Sequence, residues 1–270
     1  MEKRVLICED SLEGIFSAIY DAYAEKCVHD FTRIQTRESE NLELFTSYEH
    51  MVSCNEKAVK VIRMILNQFG EETYLYFCRA LATEDAEKAN AVYHVLQKGI
   101  SEQNRRIMEK FSEECVNKVF ELSRYTNNEI MHLRGFLRFQ ELENGVLFAR
   151  IGPRNNILTF LAPHFADRLP GENFIIYDDT RGICVIHPVG REWFLMDDRD
   201  MNESALEHFS EKELEYRELF TFFCEKIGIE ERRNPGLQRQ MCALHFQKYM
   251  SEFTGNVPPI YDKSKQIKTN

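Results

Sequence analysis

The hydrophobic positions of the first forty residues predict a strand, a helix and a second strand. The apolar run Val5–Cys8 is typical of a buried strand, and Phe31–Thr36 predicts the second one. Asp10 and Glu13 have the spacing of a capping box at the start of the intervening helix. That helix has an apolar stripe at helical spacing, formed by Ile15, Phe16, Ile19, Tyr20 and Tyr23. The opening of the chain therefore predicts a βαβ-like unit.

A helix-rich stretch follows this unit. Ser53 and Glu56 predict a second capping box, and the helix that they begin is expected to stop at Gly70. Further helices are predicted over residues 74–81, 84–98 and 103–122 from their apolar stripes. The polar segment at residues 83–85 predicts a domain boundary, which divides the chain into an N-terminal α/β part (1–82), a C-terminal α+β domain (83–253) and a loosely ordered tail (254–270).

The apolar period changes from helical to strand-like near residue 134. Strands are predicted over 135–142 and 145–151, joined by a tight turn at Asn144-Gly145. A helix over 156–166 precedes three more strands, which are Phe174–Asp178, Ile183–His187 and Trp193–Met196. Ser210 and Glu213 predict the start of another helix, and a last helix is expected over 237–250. The predicted fold class is α+β, in which an antiparallel sheet of about five strands packs with helices.

Charge and cysteine content restrict the class of protein. The formal net charge of −10 and the pI near 5.4 argue against bulk attraction to nucleic acid or anionic lipid, although a local basic stripe still allows DNA binding. No two of the eight cysteines are close enough for a Cys-x-x-Cys site. Scattered thiols and a short apolar N-terminal run predict a cytoplasmic protein with no membrane span.

Enzyme signatures are largely absent from the sequence. Neither a Walker phosphate loop, a Gly-x-Gly-x-x-Gly turn after the first strand, nor a Gly-x-Ser-x-Gly elbow is present, and no cofactor is predicted. His132 and His164 are candidate general bases, with packed or solvent-facing histidines as the alternative interpretation. The pairs Asp178-Asp179 and Asp197-Asp198 offer oxygen ligands, but strand-end aspartates also cap turns, and no metal site is predicted.

Two groups of basic residues suggest an anion-binding surface. The first group contains Arg124, Arg134, Arg138, Arg150 and Arg154, and the second contains Arg232, Arg233, Arg239 and Lys248. Phe136, Phe139 and Phe148 could supply stacking surfaces for exposed bases. In the alternative interpretation, these rings lie in the core and the arginines pair with nearby carboxylates.

Four segments together resemble one bacterial family that is linked to DNA repair and DNA metabolism. They are Glu9–Phe16, His132–Phe139, Pro163–Arg168 and Arg233–Gln238. In that family the C-terminal module is a domain of unknown function, which also occurs fused to uracil-DNA glycosylase-like domains. The resemblance implies an association with a DNA-modification radical S-adenosylmethionine protein, and it carries no catalytic residues. This chain departs from the family pattern at Cys242–Phe246, where related sequences tend to have a proline and a tryptophan, and it lacks the glycosylase motifs.

Three functional hypotheses remain open from the sequence. The first is a DNA-associated accessory protein, in which the phosphate backbone is held by Arg134, Arg138, Arg150, Arg154, Arg233, Asn234 and Arg239. The second is an undescribed nuclease or nucleotide-processing enzyme that uses His132, His164 or Asp178. The third is a protein-interaction adaptor that makes no contact with DNA.

Overall fold

The computed structural model divides into two compact units, Met1–Asn128 and Glu129–Asn270. It describes residues 3–25, 27–38, 41–197, 199, 206, 208–227, 229, 232 and 234–254. The division between the units falls inside one long helix. The boundary that the sequence predicts at residues 82 and 83 stays a prediction, and the predicted tail after residue 254 lies outside the described residues.

The first unit combines a small parallel sheet with four complete helices. Its elements in chain order are β1 (Lys3–Ile7), α1 (Leu12–Ala24), β2 (Thr32–Gln35), β3 (Thr46–His50), α2 (Asn55–Gln68), α3 (Glu71–Leu81), α4 (Lys88–Ser101) and the first part of α5 (Glu114–Phe136). The strand order is β2-β1-β3, and both pairs are parallel. The βαβ prediction is therefore confirmed, whereas β3 was not predicted.

The core of the first unit lies where α1, α2 and α4 bury their apolar stripes. Ile15, Ile19 and Val92 are fully buried, as expected for residues that recur on one face of a helix. Gly70 has a φ of 87° directly after α2, so its predicted role as a stop is confirmed. The helix predicted over 103–122 is wrong at its start: α4 ends before Gln103, whose φ is 50°, and residues 104–113 form turns and a short 3₁₀ helix before α5 begins.

Two of the predicted capping boxes are wrong because their polar side chains have other partners. The N-cap of α1 is Ser11, whose Oγ accepts from the Gly14 backbone at 2.9 Å. Asp10 instead pairs with Lys88 Nζ at 2.5 Å, and this ammonium also donates to the Thr83 carbonyl at 2.6 Å. Ser53 donates to a carboxylate oxygen of Glu9 at 2.7 Å and caps nothing.

The second unit is built around a five-stranded sheet. Its elements after α5 are β4 (Gln140–Glu141), β5 (Leu147–Ile151), α6 (Leu158–Arg168), β6 (Phe174–Asp178), β7 (Ile183–His187), β8 (Phe194–Asp197), α7 (Glu211–Ile227), α8 (Pro235–Met241), α9 (Leu244–Gln247) and α10 (Ser251–Thr254). The strand order is β4-β5-β6-β7-β8. The predicted α+β class and the five strands are confirmed, but the expectation that the sheet is antiparallel is wrong for one strand pair.

The sheet of the second unit is mixed, because one of its four strand pairs is parallel. Strands β5 and β6 run parallel, with Leu147 opposite Phe174, since α6 carries the chain back between them. The other three pairs are antiparallel, and the short turns between β6, β7 and β8 were predicted correctly. Ser210 also begins α7 as predicted, because its Oγ accepts from the Glu213 backbone at 3.1 Å.

Two predicted elements of the second unit are wrong in extent. The strand predicted over 135–142 begins as helix, because α5 continues to Phe136. Leu133 and Leu137, which are four residues apart, are both buried at this end of the helix. Only Gln140–Glu141 pairs as a strand. The helix predicted over 237–250 is broken at Cys242 and Ala243, which are both extended. In the described ranges, no helix is long and apolar enough to cross a membrane.

Candidate nucleic-acid interface

Arg150 and Asp179 form a buried ion pair at the carboxyl ends of β5 and β6. The Arg150 side chain donates to one Asp179 oxygen at 3.2 and 2.5 Å, and the Tyr249 hydroxyl donates to the other oxygen at 2.9 Å. Tyr249 reaches this position because residue 152 is glycine, since a Cβ there would lie only 2.7 Å from the tyrosine ring. Arg150 is thus directed into the protein and away from any external phosphate.

Asp178 has a structural role beside this pair. It is fully buried, and it accepts from the backbone of Thr180 at 2.9 Å and from both the backbone and side chain of Arg181. The same guanidinium donates to the carbonyls of Pro153 and Arg154. Burial raises the pKa of Asp178, and the Arg181 charge opposes that rise. The candidate catalytic carboxylate therefore stabilises the turn after β6 and joins it to the loop after β5.

Glu129 orders the loop between β5 and α6, and its role was missed in the sequence. One carboxylate oxygen accepts from the Arg154 backbone at 2.8 Å. The other accepts from the Asn155 backbone at 3.0 Å and from the Asn155 side chain at 2.6 Å. Because Glu129 and Asn155 are buried, these bonds fix the loop while the Arg154 side chain remains exposed. Local sequence spacing cannot predict these contacts, because Arg154 and Asn155 lie 25 and 26 positions after Glu129.

Three cationic or titratable side chains of α5 and α6 form what we call the cationic face: Arg134, His164 and Arg168. Arg134 and Arg168 are exposed, and neither forms an ion pair with a carboxylate in the described part of the chain. Burial lowers the pKa of His164 below its ordinary value of 6.5, and the charges of Arg134 and then Arg168 lower it further, against the smaller opposing effect of Asp167. Both guanidinium groups therefore lie close enough to act on the imidazole.

An aromatic cluster joins the C-terminal half of α5 to α9. The exposed ring of His132 stacks on Phe136, with centroids 5.7 Å apart, and both rings lie 5.6 Å from Phe246. His245 is adjacent to this cluster. Burial is the main cause that lowers the pKa of His245, and Arg154 and His132 lower it further, whereas Glu129 raises it. His132, His245 and Arg154 thus lie in one neighbourhood of the second unit.

The remaining predicted binding residues do not join the cationic face. Arg138 donates to Glu252 at 2.7 Å and to backbone carbonyls. Asn234 is the N-cap of α8, where its side chain accepts from the Leu237 backbone, and Arg239 donates within the same helix to the Pro235 carbonyl. Arg233 lies outside the described residues, and so does Asp198 of the second aspartate pair. Asp197 accepts from the Arg199 side chain. In the described ranges, no group of three or more His, Cys, Asp or Glu side chains could hold a metal ion.

A family model matches residues 86–252 of this chain, under the description "Domain of unknown function (DUF4130)". This match covers more than half of the chain, and it includes the cationic face, the Glu129 loop and the whole sheet of the second unit. The chain belongs to the DUF4130 family. No curated protein matches the chain. The side chains of this DUF4130 protein described above, from Glu129 to Tyr249, lie within the matched range.

Proposed function

We propose that this DUF4130 protein binds DNA through its cationic face and acts as an accessory protein in DNA repair or DNA metabolism. The observation that supports this most directly is that two exposed guanidinium groups, Arg134 and Arg168, both lower the pKa of His164 and have no described carboxylate partner. Arginines that pair internally, such as Arg138 and Arg150, are unavailable to a ligand. Arg134 and Arg168 are available to one.

A phosphate group has the chemistry that this face requires. Two guanidinium groups near one imidazole repel each other electrostatically, and an anion between them removes that repulsion. Arginine also matches phosphate geometry with two parallel hydrogen bonds. The protein as a whole has a charge of −10, so this local positive region is the part that a polyanion would approach.

The aromatic cluster favours single-stranded or unpaired DNA over intact duplex. His132 is exposed and lies flat against Phe136, so its outer surface can stack on an unpaired base. Stacking of this kind contributes about 1–3 kcal/mol per base and tolerates any sequence. Phe139 and Phe148, which the sequence also suggested as platforms, pack in the interior instead.

The proposed partner is a radical S-adenosylmethionine protein that modifies DNA. This part of the proposal rests on the resemblance of segments such as Glu9–Phe16 and His132–Phe139 to a family linked to such a protein. In this arrangement the partner supplies the chemistry and the DUF4130 protein holds the DNA. Because the glycosylase motifs are absent, base excision is not proposed for this chain.

Fluorescence anisotropy with single-stranded, duplex and uracil-containing DNA tests the proposal across a range of salt concentrations. The double variant R134A/R168A should bind more weakly and with a shallower salt dependence, because each lost phosphate contact reduces the logarithmic slope by about 0.7–0.9. The variant R105A/R191A is the matched control, since it removes two exposed arginines that lie outside both basic groups.

Three results would contradict this proposal. If R134A/R168A and the control bind DNA with equal affinity, the cationic face is not the DNA-binding surface. Wild-type protein that fails to bind any DNA at low salt, but co-purifies with the radical S-adenosylmethionine protein, would favour the adaptor hypothesis. Metal-dependent turnover of DNA by the isolated protein would favour the enzyme hypothesis.

A further inference from the structure

Helix α7 packs its polar side inward and exposes its apolar side. The half-buried side carries Glu213, Arg217, Thr221 and Cys224. Two of its contacts use polar groups: Glu213 accepts from the Glu141 backbone at 3.1 Å, and the Arg217 guanidinium lies 5.0 Å from the centre of the Phe209 ring. The helix also packs against α10. The exposed side carries Tyr216, Leu219, Phe220, Phe223 and Ile227. A helix on the surface of a globular protein normally shows the opposite arrangement.

Four of the exposed residues have the spacing that two paired helices use. Tyr216, Phe220, Phe223 and Ile227 are separated by four, three and four residues, so they form one narrow apolar stripe along α7. This is the spacing at which side chains of two helices interdigitate at a crossing angle near 20°. The stripe therefore has the form of half of a helix–helix interface.

We propose that the apolar stripe of α7 pairs with α7 of a second copy of this chain, in antiparallel orientation across a two-fold axis. The axis would pass between Thr221 and Phe222, so that Phe220 of one copy meets Phe223 of the other. Tyr216 would then meet Ile227. Antiparallel pairing also opposes the two helix dipoles favourably. One surface thus serves both copies, as a closed dimer requires.

The exposed apolar area of α7 is close to what such a dimer needs. On the stripe side, the exposed fractions lie between 40% and 68% for Tyr216, Leu219, Phe220, Phe223 and Ile227. At about 200 Å² per aromatic side chain the three rings present roughly 300 Å². Leu219 and Ile227 raise the apolar total to about 500 Å². A stable interface buries about 800 Å² per partner, of which about 65% is apolar in homodimers, so this area matches the apolar part of such an interface.

A second copy fits this surface better than a different protein. A contiguous apolar patch of this size on an isolated chain favours aggregation unless it is covered. Another copy of the same chain is present at an equal concentration whenever the protein is made, and its stripe has the matching spacing by symmetry.

Sedimentation velocity over a wide range of protein concentration tests the dimer. The wild-type protein should have twice the 31.9 kDa mass of one chain at high concentration and should dissociate on dilution. The variant F220E/F223E should raise the dissociation constant of the dimer by at least about 100-fold, because two central rings are replaced by charges that repel across the axis. The control L42E/V52E places the same charges on two exposed residues of the first unit and should sediment like the wild type.

The outcomes are decisive even if the double-glutamate variant folds poorly. The variant F223Q removes one ring without adding charge, and it should still raise the dissociation constant about tenfold. Circular dichroism checks the folding of each variant. A wild-type protein that stays monomeric at every concentration overturns the proposal, and so do folded stripe variants that dimerise as tightly as the control. DNA affinity is not part of this measurement, so its result is independent of the proposed function.

Discussion

Replacing Glu129 with alanine should strongly destabilise the second unit. The substitution removes three hydrogen bonds to a buried carboxylate, with lengths of 2.6, 2.8 and 3.0 Å. Bonds to charged groups contribute about 1.5–3 kcal/mol each, and the buried Asn155 groups would be left without their partner. Because the three bonds share one carboxylate and are not additive, we expect the free energy of unfolding to fall by about 4 kcal/mol.

Urea denaturation followed by tryptophan fluorescence measures this change. Trp193 is the single tryptophan of the chain and lies in the second unit, so its signal reports the unit that contains Glu129. With a slope near 2 kcal/mol/M, the midpoint of E129A should fall by about 2 M. The variant E129Q keeps one acceptor oxygen and should lose about half as much.

The control E121Q changes an exposed glutamate on the same helix and should stay within about 0.5 kcal/mol of the wild type. If E129A matches this control in both midpoint and slope, Glu129 does not hold the loop and the reasoning is refuted.

Three more predictions concern other contacts in the two units. Gly152→Ala should lower the free energy of unfolding by about 1–3 kcal/mol, since its Cβ would displace the Tyr249 ring, whereas Gly135→Ala in the open part of α5 should raise it by up to about 1 kcal/mol in the same urea assay. Because the pKa of His164 is lowered, the folded state binds a proton on this imidazole less readily than the unfolded chain, and the free energy of unfolding should fall as the pH drops below 6.5. R134A/R168A should raise the pKa of His164 in a histidine NMR titration, and an unchanged pKa would contradict this reasoning. Lys88→Met should lower the free energy of unfolding of the first unit by about 2–3 kcal/mol, because the ammonium of Lys88, which is only 3% exposed, binds both Asp10 and the Thr83 carbonyl. Unfolding followed by circular dichroism measures this change, and a loss below about 0.5 kcal/mol would show that the ion pair is dispensable.

Much of the fold could be predicted because its strands and helices have strong local patterns. The runs Val5–Cys8 and Phe174–Asp178 are continuous and apolar, and Gly70 and Ser210 have local roles that need no tertiary information. Strand β3 was missed because its five residues contain no apolar run, and the structure leaves none of them fully buried. The break at Cys242 and Ala243 was missed because neither residue is a glycine or a proline.

The candidate site was harder to predict, since its contacts join distant parts of the chain. Arg138 and Arg150 look equivalent to Arg134 in the sequence, but their partners Glu252 and Asp179 lie 114 and 29 residues away. The pair His164 and Arg168 has helical spacing on α6 and could be recognised locally. That Arg134 lies close enough to lower the pKa of His164 depends on how α5 and α6 pack.

The single parallel strand pair of the second unit has a consequence for the order of events during folding. Strands β6 and β7 are joined by a turn of four residues, so they can meet within microseconds as a local hairpin. Strand β5 can join β6 only after the chain has closed a span of 27 residues, from Leu147 to Phe174, with α6 formed in between. The β6–β7 hairpin should therefore form early, and the docking of β5, which brings Arg150 to Asp179, should be a late step in the folding of this unit.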